Sequence, residues 1–157
     1  MSTTAGTGRV AVLRDYPLRL WVEQNEFFDS LLREFQLLIY SEQSGEPHLH
    51  APRRLVELAD ELQDRFGGLL QTVNVERQAA LDRGLDRMDS RLPLTDGLPA
   101  VLAHVREVLE ECDEFCRHGD LLALPRPPEL IAFATWVGDQ LIAQYDGAEP
   151  TPWPGPF

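Results

Sequence analysis

The sequence predicts an all-α protein, a four- to five-helix up-down bundle with a Pro-rich C-terminal tail. Apolar residues recur at alternating 3,4 spacing over several long stretches. Nowhere does an alternating run extend far enough to propose a sheet. The 157 residues fit one domain. A chain of this size buries about 70% of its extended surface, so its core needs neither disulfide nor metal. Residues 1–15 read as a flexible leader, 16–147 as the bundle and 148–157 as the tail.

The first helix starts at Pro17, which suits a first turn because its missing N–H would be unpaired there anyway. Leu18, Trp21, Phe28, Leu32, Phe35 and Ile39 carry its stripe to about Ser41. Leu31, Leu38 and Val22 widen that stripe, and Asn25 interrupts it, as a polar group paired with a neighbouring helix or as a ligand contact. Gln43 to Ala51 is a loop with Gly45 and Pro47. Pro52 opens a second helix through Leu55, Leu58, Ala59, Leu62 and Phe66, and Gly67-Gly68 ends or kinks it. Leu70, Val73, Arg77, Ala80, Leu81 and Leu85 mark a further, half-exposed helix, and Arg87 to Leu94 is helical or extended.

Asp96 is the expected N-cap of the next helix. Its apolar face runs from Leu98 through Val101, Val105, Val108 and Cys112 to Cys116. Arg117 and His118 suit the negative end of its dipole, and Gly119 closes it. Leu121 to Leu124 connects to a last helix, about Glu129 to Tyr145. The tail from Pro150 cannot be helical, and Trp153 either docks on the body or leaves it.

Charge narrows the function. Fourteen cations, all arginine, stand against 26 carboxylates, for a net charge of −12. That balance excludes nucleic acid and anionic membranes as partners, because phosphate binding needs clustered cations. The absence of lysine removes Schiff-base chemistry and a lysine-bearing phosphate loop. No nucleophile elbow, His-Glu-x-x-His or glycine-rich phosphate loop occurs, so no catalytic residue is assigned. The small, polar N-terminus and the short apolar runs point to a cytoplasmic protein.

Three residue groups bear on binding. Cys112 and Cys116 lie one turn apart with His118 nearby, and His48 and His50 share a loop. The cysteines read as buried small hydrophobes, and neither metal nor cofactor is expected. A ligand- or metal-sensing bundle using these groups, or Trp21 and Asn25, is the alternative. Glu107, Glu110, Glu111 and Glu114 share one helix face, either a solvated acidic face or a docking surface for a basic partner. In the last helix Ile131, Trp136 and Ile142 extend the apolar arc beyond the Leu130–Ala134–Val137–Leu141 stripe. Gly138 there allows another backbone close by. The arc serves central burial, or an interface with a partner or a second copy. His104 is a candidate phosphoacceptor, with Glu107 one turn away opposing a phosphoryl group.

Several short segments resemble a group of small helical proteins of high-GC Gram-positive bacteria. They are Tyr16-Pro17-Leu18-Arg19-Leu20, Leu32-Arg33-Glu34-Phe35, Asp113-Glu114-Phe115-Cys116 and Gly119-Asp120-Leu121-Leu122. Pro127-Pro128-Glu129, Trp136 and Pro150-Thr151-Pro152-Trp153 continue the likeness, which spans about Tyr16 to Gly155. Proteins of that group accompany anti-sigma-factor kinases and PP2C-type phosphatases of partner-switching regulation. The resemblance implies a non-catalytic regulatory protein in bacterial signalling or stress-response control. Its partner would be another protein of that kind, and no catalytic residue carries over.

Overall fold

The computed structural model describes residues 9–41, 49–118 and 124–156. Among these the chain is mostly helical, with a small two-stranded sheet. The order is β1 (Val10–Pro17), α1 (Leu18–Ser41), α2 (His50–Asp82), β2 (Arg87–Pro93), α3 (Leu98–His118) and α4 (Pro128–Tyr145).

The sheet corrects the purely all-α expectation and, from Val10 on, the expected leader, whose residues 1–8 lie outside the described residues. From Val10 the chain is an antiparallel partner of β2, pairing Val10 with Pro93 and Leu13 with Ser90. Ala11, Leu13 and Tyr16 are buried while Val10, Arg14 and Asp15 are exposed. A bulge at Arg14 and Asp15 makes that alternation irregular, with Asp15 at φ 53°. The extra residue turns Tyr16 back into the core. β2 resolves the ambiguous Arg87–Leu94 stretch as extended.

α1 runs to Ser41, as its stripe predicts, and Pro17 precedes it as the last residue of β1. Asn25 is exposed rather than set against a neighbouring helix. α2 passes without a break through Gly67 and Gly68, joining two expected helices into one of 33 residues. Helical dihedrals are open to glycine; its cost is entropic, about 1 kcal/mol each, and the flanking turns outweigh it. α2 begins at His50, inside the expected loop, whose residues 42–48 lie outside the description. α3 begins at Leu98, so the flanking position falls to Gly97 rather than Asp96. Arg117 and His118 occupy its last turn. The expected cap Gly119 and connector residues 121–123 lie outside the described residues.

The buried side chains form two clusters. One lies beneath the sheet and joins Leu13, Tyr16, Trp21, Phe133, Leu141 and Trp153. The other lies among α1, α2 and α3 around Phe35, Leu58, Val108 and Cys112. The tail docks as an extended strap. The Trp153 ring stands edge-on to Phe133 and Trp136, with centroids at 6.0 and 5.4 Å, and the Trp153 backbone N–H donates to the Arg14 carbonyl at 3.0 Å. Arg87 donates to the Gly155 carbonyl at 2.9 Å, fixing the strap farther along.

Candidate functional site

An apolar opening lies between α1 and the approach to α4. It is a groove of about 590 Å³. Helical spacing brings Glu23, Glu26, Phe27, Ser30, Leu31 and Glu34 to one wall. Leu124, Pro127 and Leu130 form the other. The floor is apolar and three glutamates stand along it. The lining of α1 spans about 16 Å at ~1.5 Å per residue, room for about three turns of another helix.

A buried ion pair holds the second wall. Arg126 grips Asp113 of α3 with a fork: Nε donates to Oδ2 at 3.0 Å and the terminal nitrogen donates at 2.8 Å. The Arg126 backbone N–H adds a bond to Oδ1 at 3.2 Å. Both side chains are only 8% exposed, so neither charge is screened by water. The pair pins the connector to α3 and places Leu124 and Pro127 beside α1. Leu124 is 71% exposed at the groove edge. The sequence reading missed this site because its walls come from distant segments. The signals for it were Asp113 beside the apolar stripe of α3 and an arginine just before the Pro127-Pro128 pair.

The expected acidic face is partly consumed within the fold. Arg54 of α2 hydrogen-bonds Glu111 and lies 3.5 Å from Glu107. That hydrogen bond is the main cause raising the Arg54 pKa. Glu114 accepts from Arg117 at 3.0 Å and lies 2.8 Å from a His118 ring nitrogen, while Glu110 is exposed. Thus Glu111 is drawn into the α2–α3 seam, while Glu107, Glu110 and Glu114 remain exposed.

On α4, Ile131, Trp136 and Ile142 are half-buried. Trp136 lies 6.4 Å from Tyr16 and against Trp153, and its buried indole N–H finds no partner among the described residues. Gly138 is buried where a Cβ would come within 3.3 Å of the Arg106 guanidinium. Its close neighbour is that side chain, which bonds Asp139 at 3.2 Å, rather than another backbone.

Cys112 is buried, its S–H donating to the Ala51 carbonyl at 3.6 Å. Burial pushes its pKa up to about 12, and that of Cys116 up to about 11, so both are neutral thiols at ordinary pH. His50 and His118 border a second opening of about 340 Å³ with Glu111 and Glu114. Among the described residues no three His, Cys, Asp or Glu side chains gather as a metal site. His48 lies outside them, and His104 is exposed on α3. No described helix is long and apolar enough to cross a membrane. In comparisons with known proteins, no family, no curated protein and no solved structure matches the chain.

Proposed function

We propose that this is a non-catalytic regulatory protein that works by binding another protein, and that the groove between α1 and the approach to α4 is its docking surface. The observation carrying the reading is an apolar floor bordered by Glu23, Glu26 and Glu34 in a chain of net charge −12. The complementary occupant is a cationic amphipathic helix of the partner. Its apolar face covers Phe27 and Leu124, and a flanking arginine or lysine meets Glu26, while Glu23 already pairs with Arg19 at 3.4 Å. The resemblance to partner-switching regulators supports the same reading and nominates an anti-sigma-factor kinase or phosphatase as the supplier of that helix.

A labelled Leu/Lys amphipathic peptide, titrated with the full chain and followed by fluorescence anisotropy, tests it. Wild type binds, and affinity falls as salt rises, because charge steers the encounter and contributes to the contact. Glu26→Lys and Leu124→Lys each weaken binding by roughly tenfold or more, since each removes an attraction and sets a cation against the cationic peptide. Glu110→Arg with Glu114→Arg, on the outer face of α3, leaves binding unchanged. Equal binding by wild type and the groove variants overturns the assignment.

A further inference from the structure

The two edges of the small sheet are treated differently. On the outer edge of β1, the Val12 N–H donates to Gln144 Oε1 at 2.9 Å and the Val12 carbonyl accepts from Gln144 Nε2 at 2.9 Å. Gln144 thus stands in for a third strand. The next outward carbonyl, that of Arg14, accepts from Trp153. The outer edge of β1 is thus occupied at Val12 and Arg14.

The outer edge of β2 is not. Val12 spends its backbone groups on Gln144, so its pair with Arg91 is one without ladder bonds. The N–H and C=O of Arg91 therefore point away from β1, and the period of two turns those of Asp89 the same way. Among the described residues no backbone or side-chain group bonds to them. The Asp89 and Arg91 side chains lie on the exposed face of the strand, opposite the buried Ser90.

We infer that β2 pairs antiparallel with β2 of a second copy about a twofold axis at Ser90, making a four-stranded sheet across a homodimer. This register sets Asp89 against the partner's Arg91 and Arg91 against the partner's Asp89. Each such pair joins opposite charges and exchanges two backbone hydrogen bonds. Moving the axis by one residue sets Asp89 against Asp89, or Arg91 against Arg91, and like charges directly opposite are destabilising. The same alternation, with Pro93 at the strand end, discourages other strands from adding to this edge. The edge excludes general partners and accepts its own copy. Symmetry supports this, because an isologous contact doubles every favourable pair. The contact is short, so the dimer is concentration-dependent.

Sedimentation equilibrium of the full chain over a range of concentrations tests the pairing. Wild type associates to a dimer. Arg91→Asp and Asp89→Arg each place like charges opposite one another and weaken association roughly tenfold or more. Mixed in equal amounts, the two variants form a heterodimer, because Asp then faces Arg at both pairs. Asp89 Oδ1 also accepts the Asp15 N–H at 3.1 Å, so circular dichroism must show that Asp89→Arg is folded. Arg91→Pro gives an independent answer: it removes an outward N–H without touching the β1 ladder, and its product is monomeric. A wild type that stays monomeric at the highest attainable concentration overturns the inference. So does a dimer that survives Arg91→Asp and Arg91→Pro, or a mixture that stays monomeric.

Discussion

At the scale of single residues, Arg77 shows how the fold tolerates a buried cation. It is only 7% exposed. Its guanidinium lies 4.2 Å from the Tyr16 ring centroid and 5.8 Å from that of Trp21. Nε donates to Ser90 Oγ at 3.1 Å. Burial is the main influence on it and lowers its pKa from the ordinary arginine value. The aromatic faces and one hydroxyl compensate where a carboxylate would normally serve. The side chain contributes through its stem as well as its charge. Arg77→Ala therefore costs about 3 kcal/mol, by opening a cavity and stripping the rings of their cation. Arg77→Met refills the space without a buried charge and costs about 1 kcal/mol or less, for the Ser90 hydroxyl left unpaired. Urea unfolding of both variants separates packing from charge. Equal losses would show that the cation over the rings, not the stem, is the stabilising part.

At the scale of elements, α2 carries two glycines that nothing in its surroundings requires. A Cβ at Gly68 would meet no atom within 4 Å, and the residue does not have positive φ. Gly68→Ala is expected to stabilise the protein by about 0.5–1 kcal/mol, by restricting the unfolded chain and favouring the helix. A raised urea midpoint with unchanged slope checks this. At Gly67 a Cβ would come within 2.5 Å of the Gln63 side-chain nitrogen, so there the gain depends on that side chain moving aside. These glycines also show where the sequence misleads. Read locally, Gly67-Gly68 stops a helix; packing of Leu55 and Leu58 on one side and Val73 and Arg77 on the other carries it through. α1 and α4 were legible to within a residue, because a proline marks each start and 3,4 spacing carries to each end, past the single interruption at Asn25 in α1. β1 was not legible: Val10 to Leu13 is a run of four apolar residues, and the bulge interrupts the alternation before Tyr16. The groove escaped for a different reason. Glu26 and Leu124 are neighbours only once the Asp113–Arg126 pair has fixed the approach to α4.

At the scale of the whole molecule, acidity and buried weak acids act together at high pH. Burial pushes the Tyr16 hydroxyl up to about 12, only slightly relieved by the nearby Arg77. It pushes the Cys112 and Cys116 thiols up to about 12 and about 11, with neighbouring negative charges adding to the effect. All three are acids whose folded pKa lies above the unfolded value. The folded state therefore keeps protons that the unfolded state has already released. Stability is full below the unfolded values of about 8.5 for Cys and about 10 for Tyr. It falls as pH rises through the interval up to the folded values, with each group subtracting up to about 1.4 kcal/mol per pH unit. The chain already carries −12, so each further negative charge also adds to the repulsion opposing a compact state. Urea midpoints should stay flat between about pH 7 and about pH 8, then fall steeply toward about pH 11. Tyr16→Phe keeps the ring against Phe133 and beneath Arg77 while removing the proton. In that variant the decline from about pH 10 upward becomes shallower, while the part beginning near about pH 8.5 persists, because the thiols cause it. Cys112→Ala lowers stability at neutral pH by the lost packing but reduces that earlier part of the slope. An alkaline decline identical in wild type and both variants would mean that general charge repulsion, rather than these buried protons, sets the upper pH limit of the fold.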